Sequence, residues 1–411
     1  MDLAALGKYA RLIVKTGIHI QQNQILVITS PVECAPFARL VAKTAYEEGA
    51  KDVVMNWRDE LFSKLRFLQA PEEVFETFPQ WEKDFYLFYL QQGAAFLTID
   101  ASDPEILKEV NPERVAKSQR TRNSALKAFR EALMSNKNAW SIISIPTGVW
   151  AGKVFPELPE SAAVDKLWTA ILQAVRVDAD DPVAAWEDHK SALQQRLDFL
   201  NSHRFQFLQY KNGQGTDLRV ELPPNHIWLG GAERTTSGVE FIANMPTEEV
   251  FTLPKKTGVN GTVVSSRPLS YNGNLIERLS FTFVDGKIIQ FDAGKHTEIV
   301  KKLIETDSGS CYLGEVALVP QKSPISETGI VFLNTLYDEN ASCHLAIGKA
   351  YPVCVEGSET MSREELAQAG VNDSLVHVDF MIGTDDMEIT GITAEGKAVP
   401  VFIDGNFAVY K

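Results

Sequence analysis

The segment LVHVDFMIG, residues 375–383, reads as a buried strand interrupted by His377 and Asp379. A strand repeats every two residues, so the imidazole and the carboxylate share one face while Val376, Val378 and Phe380 take the other. A nitrogen and an oxygen are thereby offered to one point in space. Alone, such a pair commonly satisfies itself through a hydrogen bond, but three further segments enlarge the set. NMPTEEVFTLP carries Glu248 and Glu249 in a short strand-like stretch between Pro246 and Pro254. CYLGEVALVP places Glu315 after Gly314 at the start of an apolar strand, and NTLYDENASCHLAIGKAYP holds Asp338, Glu339, His344 and Tyr351, with Glu339 in a loop of mixed polar residues. Carboxylates and two histidines on apolar strands of one domain form the donor set that binds a pair of divalent ions. Two such ions, about 3.5–4 Å apart, need shared carboxylates to offset their repulsion. No HExxH helix occurs, which excludes a single-zinc protease of that type.

The elements that would carry these residues follow from periodicity. NQILVITS (23–30) predicts a strand, VECAPFARLVAKTAYEEGA (32–50) a helix with a glycine stop, and KDVVMNW (51–57) a second strand, which together make a parallel β-α-β unit. A helix-to-strand passage at 85–100 and a strand at 139–146 continue the pattern, so the first half is expected to be an α/β open sheet with flanking helices. Residues 181–204 predict a long polar-faced helix. From Phe205 short strands with Gly and Asn turns take over, and Asp285-Gly286 between alternating apolar runs signals a hairpin. The expected division is therefore an N-terminal α/β domain, 1–204, and a C-terminal α+β domain rich in antiparallel strands, 205–411, which holds all the candidate chemistry.

Bulk properties narrow the function. With 40 basic and 54 acidic residues among 411, the formal charge of -14 disfavours phosphate backbones and anionic membranes as partners. Four scattered cysteines lack the spacing of a zinc ribbon or a disulfide scaffold, and suggest a reducing compartment. The opening residues lack a secretory cleavage site, and no run of about 18 apolar residues occurs, so a cytoplasmic location is expected. The turn TSPVE after the first strand has neither dinucleotide nor phosphate-loop glycines, which disfavours a nucleotide cofactor. Metal-dependent phosphoester hydrolysis is a competing chemistry, but no basic residue falls inside either histidine motif to hold a phosphate. A small-molecule binding protein built on the α/β half is a third class.

The segments NMPTEEVFT, GEVALVP, ASCHLAIGKAYP and HVDFMIG resemble the thermophilic-type metalloaminopeptidases, the aminopeptidase T, aminopeptidase S and PepS group, and the similarity extends over essentially the whole chain. The resemblance implies a peptide hydrolase that releases N-terminal amino acids through a hydroxide activated by two divalent metal ions. It implies Glu249, Glu315, His344, His377 and Asp379 as metal ligands, and selects Glu249 over its neighbour Glu248. Glu339 would be an additional active-site carboxylate, either ligand or proton acceptor, and Tyr351 a hydrogen-bond donor to substrate or oxyanion. The implied partners are peptides with a free N-terminus and a second copy of the chain in a homodimer. The implied ions are zinc, cobalt or manganese.

Overall fold

The computed structural model describes residues 3–272 and 274–408. The chain forms two compact units: Met1–Lys190 with Ala232–Thr247 and Tyr271–Asn274, and Ser191–Gly231 with Glu248–Ser270 and Leu275–Lys411. The N-terminal unit is α/β with a parallel sheet, and the other is rich in antiparallel strands, as the sequence pattern predicts.

In the first unit, β1 (Ile25–Pro31), β2 (Asp52–Arg58), β3 (Ala95–Asp100), β4 (Trp140–Ser144) and β5 (Asn244–Met245) lie in the order β5-β4-β3-β1-β2, every neighbouring pair parallel. Consecutive Leu26, Val27 and Ile28 are all buried, as a parallel strand covered on both faces requires. Parallel pairing forces a crossover, and α1 (Ala35–Glu47) supplies the first. Its buried residues, Phe37, Ala38, Val41, Thr44 and Ala45, recur at helical spacing, and Pro36 in the first turn forfeits only an N–H that has no helical acceptor. Gly49, at φ +101°, ends the passage in a backbone conformation that side chains resist. A short helix, α2 (Glu60–Gln69), follows β2 and is capped by Asp59, whose carboxylate accepts the Phe62 N–H at 2.8 Å.

Two larger antiparallel sheets dominate the second unit. Eight strands, from Phe207–Lys211 to Asn406–Phe407, form the larger. Its Asp285-Gly286 hairpin turn has positive φ at both positions, +49° and +81°, the geometry that matches strand twist. The smaller sheet carries the candidate residues. Its order is β9-β8-β7-β6 with Leu229–Gly230 at the edge, where β6 is Val250–Thr252, β7 Leu313–Leu318, β8 His344–Gly348 and β9 His377–Met381. Every residue of β7 and β8 is buried.

Register explains how acids fit there. Glu315 on β7 and Asp379 on β9 both pair with Ala346 on β8, and His377 pairs with Gly348. The central strand therefore presents only small groups between the functional ones, and His344, two residues before Ala346, shares their face. A register shift between Leu313 and Glu315 marks a β-bulge at Gly314. A side chain at position 314 would run into the Gly348 and Lys349 carbonyls, so the bulge requires glycine.

Candidate metal centre

Four separate segments bring six of the predicted residues together. Glu249 immediately precedes β6, Glu315 lies within β7, His344 opens β8, and His377 and Asp379 sit on β9. Glu339 lies at the end of a five-residue helix, α3 (Thr335–Glu339), rather than in a loop. Asn334 caps this helix by accepting the Leu336 N–H at 3.0 Å.

The contacts fall into two triads. His344 Nε2 stands 3.0 Å from Glu249 Oε2 and 3.8 Å from Glu315 Oε1. His377 Nε2 stands 3.2 Å from Glu315 Oε2 and 3.3 Å from Asp379 Oδ1. Glu315 thus belongs to both, one oxygen toward each imidazole, and within each triad the donor atoms lie within 4.8 Å of one another. All five groups are buried or nearly so, with His344 at 1% exposure and Glu315 at 4%.

Burial of this much charge needs compensation, and the rings show what kind. His344 Nδ1 donates to the Ser342 carbonyl at 3.1 Å, and His377 Nδ1 donates to the Lys349 carbonyl at 2.7 Å. A carbonyl only accepts, so each Nδ1 carries a proton and a neutral ring turns its Nε2 lone pair toward carboxylate lone pairs. Glu249 Oε2 and Asp379 Oδ1 likewise lack a hydrogen bond of good geometry. Lone pairs facing lone pairs at 3.0–3.8 Å are stable only with a positive charge among them, either a second ring proton or a metal ion. The donor set therefore fits divalent cations, with backbone carbonyls orienting the imidazoles as they do at metal sites.

Protonation in the absence of ions follows from the same geometry. Burial alone would lower both imidazoles, but hydrogen bonds and charge from Glu249, Glu315 and Asp379 hold His344 and His377 well above the ordinary range. Burial, with the neighbouring acids adding to it, raises Glu249. Burial would also raise Asp379, yet His377 beside it holds that carboxyl below its usual range. Glu339 is pushed well above the carboxylate range, by burial first and then by Asp379, Glu249 and Glu315. It feels the cluster while belonging to neither triad.

Three other candidates have distinct placements. The Tyr351 ring packs edge-on against His377, centroids 5.1 Å apart, and so braces the imidazole. Asp338 accepts the Phe332 N–H at 2.8 Å and the Asn334 N–H at 3.1 Å, locking the turn into α3. Burial lifts its carboxyl to about 6. Glu248 lies outside both triads.

Sequence reasoning missed the supports. Asn340, fully buried, accepts the Glu248 N–H at 2.7 Å, donates to the Leu336 carbonyl at 2.8 Å and reaches Glu339 Oε1 at 3.4 Å. One amide thereby ties the segment before β6 to the end of α3. Its position directly after Glu339 was the available signal, whereas the Ser342 and Lys349 carbonyls leave none in residue types.

Several known proteins are similar to this chain over nearly its whole length. The family described as thermophilic metalloprotease matches residues 3–407. The chain is 49% identical over 403 residues to aminopeptidase 2 of Geobacillus stearothermophilus, covering 98% of this chain and 97% of that protein. It is 47% identical over 403 residues to aminopeptidase AmpS of Bacillus subtilis, covering 98% of each. Among solved structures, wild-type AmpT from Thermus thermophilus superposes with a TM-score of 0.91 at 39% identity, covering 98% of this chain and 99% of that one.

Proposed function

The chain belongs to the thermophilic metalloprotease family, and from that premise we propose that it is an aminopeptidase releasing N-terminal residues from peptides at a pair of divalent ions. The observation that carries the reading is Glu315, whose two oxygens face two imidazoles, each within a buried triad. Glu249 and His344 would hold one ion, His377 and Asp379 the other, and Glu315 both. Imidazole with carboxylates suits zinc, cobalt or manganese. When bound, such ions bring the pKa of a water toward neutrality and polarise the scissile carbonyl.

The chain's own groups do the rest. The Ser342 and Lys349 carbonyls fix each imidazole with Nε2 directed inward. Glu339, beside the triads and outside them, would be ionised once cations offset the burial and the neighbouring acids that raise its carboxyl. It would then accept the proton of the attacking water and return it to the departing amine. Tyr351, packed on His377, donates a hydrogen bond to the substrate carbonyl. Burial of the cluster keeps bulk water from weakening these interactions. Selection for a free N-terminus follows from the acidic lining, which favours an ammonium group. The aminopeptidase relatives support this reading; a homodimer and a cytoplasmic location belong to the proposal alone, and light scattering of the purified protein tests the dimer. Among the described residues no helix is long and apolar enough to cross a membrane.

The test pairs elemental analysis with turnover of aminoacyl-anilides. Two ions per chain, loss of activity on chelation with recovery on adding metal, and no cleavage of N-acetylated peptides are expected. Undiminished hydrolysis by ion-free protein, or equal cleavage of acetylated substrate, would overturn the reading.

A further inference from the structure

One side chain joins the proposed proton carrier to the segment that supplies a metal ligand. Asn340 follows Glu339 at the end of α3 and is fully buried. Its Oδ1 accepts the Glu248 N–H at 2.7 Å, while its Nδ2 donates to the Leu336 carbonyl at 2.8 Å and to Glu339 Oε1 at 3.4 Å. The partners dictate which way the amide faces. A backbone N–H only donates and a carbonyl only accepts, so turning the group over would set donor against donor and acceptor against acceptor. That an N–H meets Glu339 is therefore fixed by contacts made elsewhere.

Both arms end at groups the chemistry needs. Glu248 lies one residue before Glu249, so anchoring its N–H sets the backbone from which Glu249 reaches His344 at 3.0 Å. Arg196 donates to the Glu248 carbonyl at 3.3 Å and holds the same residue from its other side. The second arm places a donor beside one oxygen of Glu339, a residue of a short helix that strand pairing does not hold. An amide offers an acceptor and two donors without charge, and so can serve both segments beside a cation site without adding an ion of its own.

We infer, given the aminopeptidase reading, that Asn340 is a positioning residue which sets the Glu339 carboxylate against the triad of Glu249, Glu315 and His344. Being buried, it acts through those groups. Competition titration with zinc, turnover of an aminoacyl-anilide and circular dichroism of the full-length protein test it. Asn340→Asp keeps an oxygen for the Glu248 N–H and removes the donor; zinc affinity should stay within about threefold, while kcat falls by at least about tenfold with KM unchanged. In Glu339→Gln protein the same change should cost less than about twofold more, because the group it acts through is already lost. Asn340→Ala removes both arms and should also weaken zinc by at least about tenfold. An asparagine that merely supports the fold would lower the melting temperature and cut kcat equally in both backgrounds. Full kcat in Asn340→Asp, an equal cost with and without Glu339, or parent-like zinc affinity in folded Asn340→Ala would overturn the inference. Should Asn340→Ala not fold, the Asn340→Asp comparison decides alone. A parent that binds zinc and cleaves nothing counts against the aminopeptidase reading, and the zinc titrations still decide for Asn340; a parent that binds no zinc overturns both.

Discussion

Two sheets in this molecule handle polar groups in opposite ways. In the parallel sheet of the first unit, β1 and β3 are apolar through their first halves, and the carboxylates gather at or beyond their carboxyl ends, in Asp59, Glu60 and Asp100. In the five-stranded antiparallel sheet of the second, Glu315, His377 and Asp379 project from the strands themselves. A parallel strand has both faces covered by crossovers, so an acid in its middle has nowhere to meet an ion. The antiparallel sheet solves the problem by register, since Ala346 and Gly348 leave room beside the acids and four chain segments contribute to one cluster. Chemistry at strand ends is built by loops, and chemistry on a strand face is built by which small residue lies opposite.

Changing the shared acid tests that contrast most severely. Glu315→Gln should remove one charge from both triads. A loss of several kcal/mol of transition-state stabilisation, on the order of 10³-fold in rate, is expected, with elemental analysis showing fewer ions per chain. Full turnover would break the idea that the strand face is where chemistry happens. Glu339→Gln comes next. A fall on the order of 10²-fold or more in kcat with metal content unchanged identifies the proton carrier, whereas loss of an ion makes Glu339 a ligand.

Acidity sharpens the comparison. His344 and His377 have ion-free pKa values raised above the ordinary value of about 6.5. Their contribution to the stability of the ion-free fold is therefore complete below about pH 6.5 and is lost as pH rises through the raised values. Metal competes for the same positions, so affinity runs the other way and weakens as pH falls through those values, by on the order of tenfold per pH unit for each proton displaced. Chelated protein should melt at lower temperature as pH rises, while competition titrations show tighter metal binding. An affinity independent of pH would mean that the imidazoles are not donors.

The smallest effect separates the sheets by packing. Ala346→Val adds bulk between Glu315 and Asp379, and should cost about 1–3 kcal/mol along with metal affinity. Ile28→Val in β1 should cost about 0.5–1.5 kcal/mol and leave metal content untouched. Denaturant titration and elemental analysis of both variants read the difference. Equal loss of metal would show that the two sheets are not distinct in this respect.

Much of this architecture was legible in sequence because it rests on short-range rules. The Asp285-Gly286 turn, the spacing of Phe37, Val41 and Ala45, and the period-two placement of His377 and Asp379 each declare themselves within a few residues. Convergence of Glu249, Glu315 and His344 does not, because pairing between distant strands is set by register that no local pattern encodes; there the resemblance of whole motifs supplied what periodicity could not. Helix α3 escaped notice because five residues are too few for an apolar stripe, although Asn334 was a cap in plain view. The ring-orienting carbonyls of Ser342 and Lys349 belong to the backbone, which carries no residue-type signal at all.

Gly314 shows how far such a centre extends beyond its own donors. The carbonyl that a side chain at this position would strike is that of Lys349, and the same oxygen holds the His377 ring. A methyl group placed there would be felt as a misdirected imidazole two strands away. Inactivating changes in this enzyme family should therefore turn up at a residue with no heteroatom to offer, where a survey confined to acids and histidines would never look.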